Sequence, residues 1–136
     1  MNIVKLTDSL GVSAQITEAD VATIAAAGFK VLINNRPDGE EGNQPSSAAI
    51  AAAARAAGME YHHLPVTAMD FPGAGFNEMC DLLDDPSRPV LAFCRSGTRC
   101  ANLWVAGRDG AEREQAIAIA RQRGFDLGMA ARVRPR

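Results

Sequence analysis

Apolar positions along this chain fall into two alternating patterns: unbroken short runs, and positions three and four residues apart. From Thr17, the residues Val21, Ile24 and Ala25 share one helical face, Thr17 supplies a cap with Asp20 three residues on, and Gly28 stops the helix. Phe29-Lys30-Val31-Leu32-Ile33 follows as a short apolar run, the mark of a strand buried on both faces, and ends in the polar stretch Asn34-Asn35-Arg36-Pro37-Asp38-Gly39. Ser46 to Ala57 is alanine-rich and closed by Gly58, which predicts a helix thin enough to lie close on a sheet. Tyr61 to Val66 predicts another strand, interrupted near its end by Pro65, and Thr67 to Gly75 a loop. Phe76, Met79, Cys80 and Leu83 then repeat at helical spacing before Asp84-Asp85-Pro86, and Pro89 to Phe93 predicts the next strand.

That strand runs straight into Cys94. Beyond Arg99, residues 101–108 and 112–123 predict two more helices, the second stopped by Gly124. Ahead of Thr17, Ile3 to Leu6 and Val12 to Ile16 predict two short strands joined by a turn around Ser9-Leu10-Gly11. Strands alternating with helices predict a single-domain α/β fold, a mainly parallel sheet flanked by helices on both faces. Ligands of such sheets bind beyond the carboxyl ends of the strands, the edge that carries Cys94, Arg36 and Asp70.

Composition narrows the picture. The 136 residues are 47% apolar, enough for one core and one domain spanning 1–136. The 14 basic and 16 acidic side chains nearly cancel, so overall charge calls for neither nucleic acid nor an anionic membrane surface, and any anion specificity is local. No basic leader with a long apolar run opens the chain and no apolar stretch approaches roughly 18 residues, from which a cytoplasmic location is expected. Three cysteines, Cys80, Cys94 and Cys100, suit neither a disulfide scaffold nor a zinc knuckle; reduced thiols are expected, with no metal and no cofactor.

The chemistry concentrates in Cys94-Arg95-Ser96-Gly97-Thr98-Arg99. A strand ending in cysteine, a glycine-containing turn and a helix start aim successive backbone N–H groups inward and make an anion site. Gly97 frees the backbone to turn, and Arg99 adds a bidentate charged fork. The same donors stabilise a thiolate, placing Cys94 below the ordinary value of roughly 8.5 and making it a nucleophile at neutral pH. A strand-end cysteine is more commonly a small buried core residue, and the chemical reading requires a thiol that a ligand can reach.

With these residues in view, the chain resembles two known groups. Thr17 to Glu40, with Gly28-Phe29 and Asn35-Arg36-Pro37-Asp38, resembles the start of a dual-specificity-phosphatase-like domain, whereas the Cys94 to Arg99 loop resembles that of rhodanese sulfurtransferases. Together, and with Gly124-Phe125-Asp126-Leu127, they resemble the bacterial beta-lactamase-hydrolase-like domain with its phosphatase-like or sulfurtransferase character, also found fused to persulfide dioxygenases. The resemblance implies a protein-tyrosine/dual-specificity-phosphatase-like fold. Phosphatases of that type place a histidine before the nucleophile and five residues between cysteine and arginine; this chain has Phe93 and four, the rhodanese interval. The favoured expectation is therefore sulfane-sulfur transfer through a Cys94 persulfide, with Arg99 and Arg95 orienting thiosulfate or glutathione persulfide and a sulfide-oxidising enzyme as partner. The alternative is phosphate-ester hydrolysis through a Cys94 phosphocysteine, for which Asp70 is the candidate general acid. A third is a non-catalytic redox or anion-binding module.

Cys100, just past Arg99, is a candidate resolving thiol, while Cys80 lies on a core stripe. Ser96, Gly97 and Thr98 complete the expected anion loop, with Arg36 as a further contact. His62 and His63 point to opposite faces of a strand and are read as structural. Arg132, Arg134 and Arg136 are read as a solvated tail.

Overall fold

A computed structural model describes residues 1–134; Arg136 of the predicted tail lies outside them. The elements, in chain order, are strands β1 (Val4–Thr7) and β2 (Leu10–Ser13), helix α1 (Glu18–Ala26), β3 (Val31–Asn34), α2 (Ser47–Ala56), β4 (Glu60–His63), α3 (Phe76–Leu83), β5 (Val90–Phe93), α4 (Thr98–Ala106) and α5 (Gly110–Gln122), closed by a 3₁₀ turn at Ala130–Arg132. The five strands form one sheet in the order β1-β2-β5-β3-β4. Only the β1–β2 hairpin is antiparallel; β5 sits centrally, parallel to β2 and β3, and β3 is parallel to β4.

Strand alternation splits the core. Leu32, Leu91 and Phe93 face α1 and α2 with Ile24, Ile50 and Ala54, whereas Val31, Ile33, Val90, Ala92 and then Cys94 belong to the opposite layer with Met79, Cys100, Leu103 and Trp104. Cys94 thus continues the inward alternation of β5 into the layer that holds α4. All of β3 and β5 is buried, as the continuous apolar runs predicted. Among the described residues no helix is long and apolar enough to cross a membrane.

Local chemistry explains most boundaries. Thr17 and Asp20 form a reciprocal capping box on α1, and Ser46 caps α2 through the N–H of Ala49. The strand predicted to reach Val66 is assigned only to His63, although Leu64 and Val66 still donate to the carbonyls of Asn34 and Asn35; Pro65 between them has no N–H to give. Helix α4 begins three residues before the predicted start, because Thr98, Arg99 and Cys100 form its first turn.

Two further sequence expectations are corrected. The hairpin turn was expected around Ser9-Leu10-Gly11, but Leu10 and Gly11 are strand residues and the turn sits at Asp8-Ser9. Gly11 is there for space: a Cβ on it would lie 2.8 Å from Ile3 Cγ2, 3.1 Å from the Phe29 ring and 3.3 Å from Leu91 Cδ2. Arg132 is likewise more than a solvated tail residue, since it donates to the Ala68 carbonyl at 2.8 Å. Substituting Gly11→Ala is expected to cost about 1–3 kcal/mol by overpacking, read from the denaturant midpoint; an unchanged midpoint would mean that Phe29 and Ile3 do not press on this strand.

Candidate active site

The loop between β5 and α4 wraps the Cys94 sulfur. Gly97, at φ +91°, caps α4 in a conformation that favours glycine, and its N–H donates to Cys94 Sγ at 3.1 Å. A Cβ at this position would meet only ordinary van der Waals contacts, the Ser13 carbonyl at 3.4 Å and the Phe125 ring at 3.5 Å, so it is the positive φ that calls for glycine. The Cys100 thiol donates to Cys94 as well and is the largest influence on it; the backbone N–H groups of Cys100, Ser96 and Gly97 add to the effect. Against the opposing cost of burial, they hold the Cys94 pKa down at about 6. Burial pushes the Cys100 thiol well above its usual value, so it remains the protonated donor of the pair.

The thiol is 0% exposed. The accessible cysteine that the chemical reading requires is therefore not what the resting structure presents: the loop closes over its sulfur. What separates Cys94 from an ordinary core cysteine is the set of polar donors gathered on that sulfur. Of the loop's other members, Arg95 is 66% exposed along its side chain, with Nε 3.4 Å from Glu41 Oε1. Ser96 is also exposed and donates from its hydroxyl to Thr98 Oγ1 at 3.0 Å.

Arg99 leaves the first turn of α4 and meets a carboxylate, Glu40, whose part in the site the sequence does not announce. Its Nη1 donates to Glu40 Oε2 and to the Val66 carbonyl, both at 3.0 Å, and its Nη2 to Glu40 Oε1 at 2.8 Å. Arg36 is 2% exposed, and each of its side-chain nitrogens has a partner: Nε gives to Glu40 Oε1 at 2.9 Å, Nη1 to Gln15 at 3.1 Å and Nη2 to Glu41 at 2.7 Å. Arg36 therefore holds Glu40 and Glu41 in place from a buried position behind the loop, an indirect role in place of the direct anion contact expected of it. The Arg99 hydrogen bonds, followed by those of Arg36, hold the Glu40 carboxyl below the usual carboxylate range. In the sequence, only the position of the Glu40-Glu41 pair, beyond a strand on the ligand-binding edge, signals this arrangement.

Asp70 lies on the loop that follows Val66, whose carbonyl meets Arg99. It follows Val66 by four residues, is exposed, and accepts the Thr67 N–H at 2.6 Å and the Thr67 hydroxyl at 2.9 Å. These bonds lower its pKa, a shift away from the protonated form that a general acid uses. His63 Nε2 bonds the Arg36 carbonyl at 2.8 Å, and His62 bonds Glu60 and Glu78 on the other side of the strand. Asn102 ties the Gly124-to-Leu127 segment to the site, its amide donating at 2.8 Å to the carbonyls of Thr98 and Asp126.

Comparison with known proteins places this arrangement. The family model for the beta-lactamase hydrolase-like protein, phosphatase-like domain, matches residues 2–111. The Beta-lactamase hydrolase-like protein of Agrobacterium fabrum is 36% identical over 135 residues, 97% of this chain and 31% of that protein. The chain thus spans about a third of the curated relatives it matches. A solved "putative phosphatase" of Neisseria meningitidis Z2491 is 38% identical, covers 97% of this chain and 96% of its own, and superposes with a TM-score of 0.78. Kinase-associated phosphatase, at 18% identity over 88% of this chain and 76% of its own, shares the fold with a TM-score of 0.69. The fold is that of the protein-tyrosine and dual-specificity phosphatases, and the chain belongs to the beta-lactamase hydrolase-like, phosphatase-like domain family.

Proposed function

We propose that this chain is a cysteine-nucleophile enzyme working through a covalent adduct on Cys94, with phosphate-ester hydrolysis as its chemistry. The observation that carries the reading is a thiolate held by a thiol and backbone N–H groups at the start of a helix, in a member of a phosphatase-like family. Cys94 Sγ attacks phosphorus, the S–P bond forms as the ester P–O bond breaks, and the leaving oxygen departs with the electron pair. Water then attacks the phosphocysteine, releasing inorganic phosphate and restoring the thiolate. The amides that steady the resting thiolate, together with Arg99, face the charge of the transferring group. Because the thiol is closed over at rest, entry of the ligand requires the exposed Arg95 and Ser96 to swing outward.

Asp70 is not assigned the role of acid, since the bonds of its turn shift it away from the protonated form. Aryl esters, whose leaving groups depart without a proton, are the substrates best matched to such a site. Asp70→Asn is expected to change aryl phosphate turnover by less than about threefold; a fall of about 10²-fold or more would reinstate that carboxyl as the proton donor.

A second reading, sulfane-sulfur transfer, is favoured by the four-residue interval between Cys94 and Arg99 and by the Cys100 thiol against Cys94. A small closed ring suits one added sulfur atom, and the reaction needs no general acid. Thiolate attack on the outer sulfur of thiosulfate would form Cys94–S–S⁻ and expel sulfite, and an acceptor thiolate would then take that sulfur. Turnover of an aryl phosphate and of thiosulfate, measured side by side on the wild type and Cys94→Ser, separates the readings. Cys94-dependent phosphate release without a sulfur adduct in the intact mass is the expected result. A persulfide without phosphate release would transfer the assignment to sulfur chemistry, and activity retained in Cys94→Ser would refute both.

A further inference from the structure

Arg99 has five N–H donors in a rigid plane, and the structure accounts for three of them. Both Nη1 hydrogens are taken, one by Glu40 Oε2 and one by the Val66 carbonyl, and Nη2 gives one to Glu40 Oε1. The carboxylate therefore occupies the end-on edge of the guanidinium. Among the described residues, the Nε–H and the remaining Nη2–H have no partner, and these two form the parallel side-on fork.

Glu40 is in turn not free to follow Arg99. Its Oε1 also accepts from Arg36 Nε at 2.9 Å, and the Arg36 side chain is only 3% exposed and pinned at Gln15 and Glu41. A chain of contacts thus runs from a buried guanidinium, through one carboxylate, to the arginine at the opposite end of the six-residue loop from Cys94.

We propose that Glu40 is a positioning residue for Arg99, clamping one edge of the guanidinium so that the side-on fork is presented to two oxygens of the incoming anion. This rests on the reading of Cys94 as the nucleophile. It assigns the recognised group as a planar or tetrahedral oxyanion held bidentately beside the thiolate, and it gives Arg36 an indirect purpose. It also runs opposite in sign to simple charge counting, by which removing a negative carboxylate next to Arg99 would strengthen anion binding.

The test needs no turnover. Alkylation of Cys94 by iodoacetate, whose carboxylate can engage the fork, is compared with alkylation by neutral iodoacetamide, the modified peptide being identified by mass. A change in thiolate fraction affects both reagents alike, so the rate ratio isolates recognition of the anion. The wild type is expected to show a ratio well above that of the denatured chain, and Glu40→Gln to lower it about 10-fold, the size of one lost charge-assisted contact. Thermal melts check folding, and Glu40→Asp, which keeps the charge but withdraws it by one methylene, serves as the second variant and is also expected to lower the ratio. An unchanged or raised ratio in the folded Glu40 variants, or a wild-type ratio equal to that of the denatured chain, would overturn the assignment. Because the assay reads recognition alone, it can succeed even if neither phosphate nor sulfur turnover is found.

Discussion

Everything chemical in this molecule depends on a sulfur anion kept inside the protein by hydrogen-bond donors. Burial alone would keep the Cys94 thiol protonated and inert; the Cys100 thiol and the amides of the loop reverse that preference. The two cysteines consequently divide one proton between them unequally. Cys100, fully buried, retains its hydrogen and points it at Cys94, which is thereby free to ionise. A loop that makes such a site must have consecutive N–H groups turned inward, a left-handed residue where Gly97 stands, and a helix starting at once behind it.

The rest of the fold supplies the surroundings of that sulfur. β5 is the central strand, so its carboxyl end is flanked by the loops that follow β2, β3 and β4. The β3 loop contributes Glu40 and Glu41, the β2 end contributes Gln15, and Val66 beyond β4 offers its carbonyl. Three guanidiniums, those of Arg36, Arg95 and Arg99, face two carboxylates and, when Cys94 ionises, one thiolate. The charges of this cluster balance without a ligand, which lets the resting protein keep it closed. Binding an anion must then rely on directed hydrogen bonds more than on surplus positive charge, a requirement that fits a fixed and partly unoccupied guanidinium.

The architecture was legible because period and punctuation agree: capping box, glycine stops and fully apolar central strands all specify the same α/β sheet. The Cys94-to-Arg99 loop was legible for the same reason, as each residue type has a separate task there. Gly11 misled because a glycine two residues after Ser9 reads as part of a turn, whereas here it makes room for Ile3 and for Phe29 from a distant part of the chain. Arg36 was found as a residue of the site, but its role was not, since a contact with Glu40 four residues away and Gln15 on another strand's end depends on tertiary folding. Glu40 and Glu41 were passed over as loop carboxylates for the same cause. The preference for sulfur over phosphate drawn from the four-residue interval is not upheld by the family assignment, which is to a phosphatase-like domain. Interval alone describes the size of the ring and says little about which anion the surrounding loops admit.

The account stands or falls on the ionisation and reach of one thiol. The rate of Cys94 modification by a neutral alkylating reagent, followed across pH on the folded protein, measures both together. A sigmoid with its midpoint at about 6 is what the donor cluster predicts. A midpoint near the free-cysteine value of roughly 8.5, or a sulfur that reacts only after unfolding, would show that the loop merely packs its cysteine away.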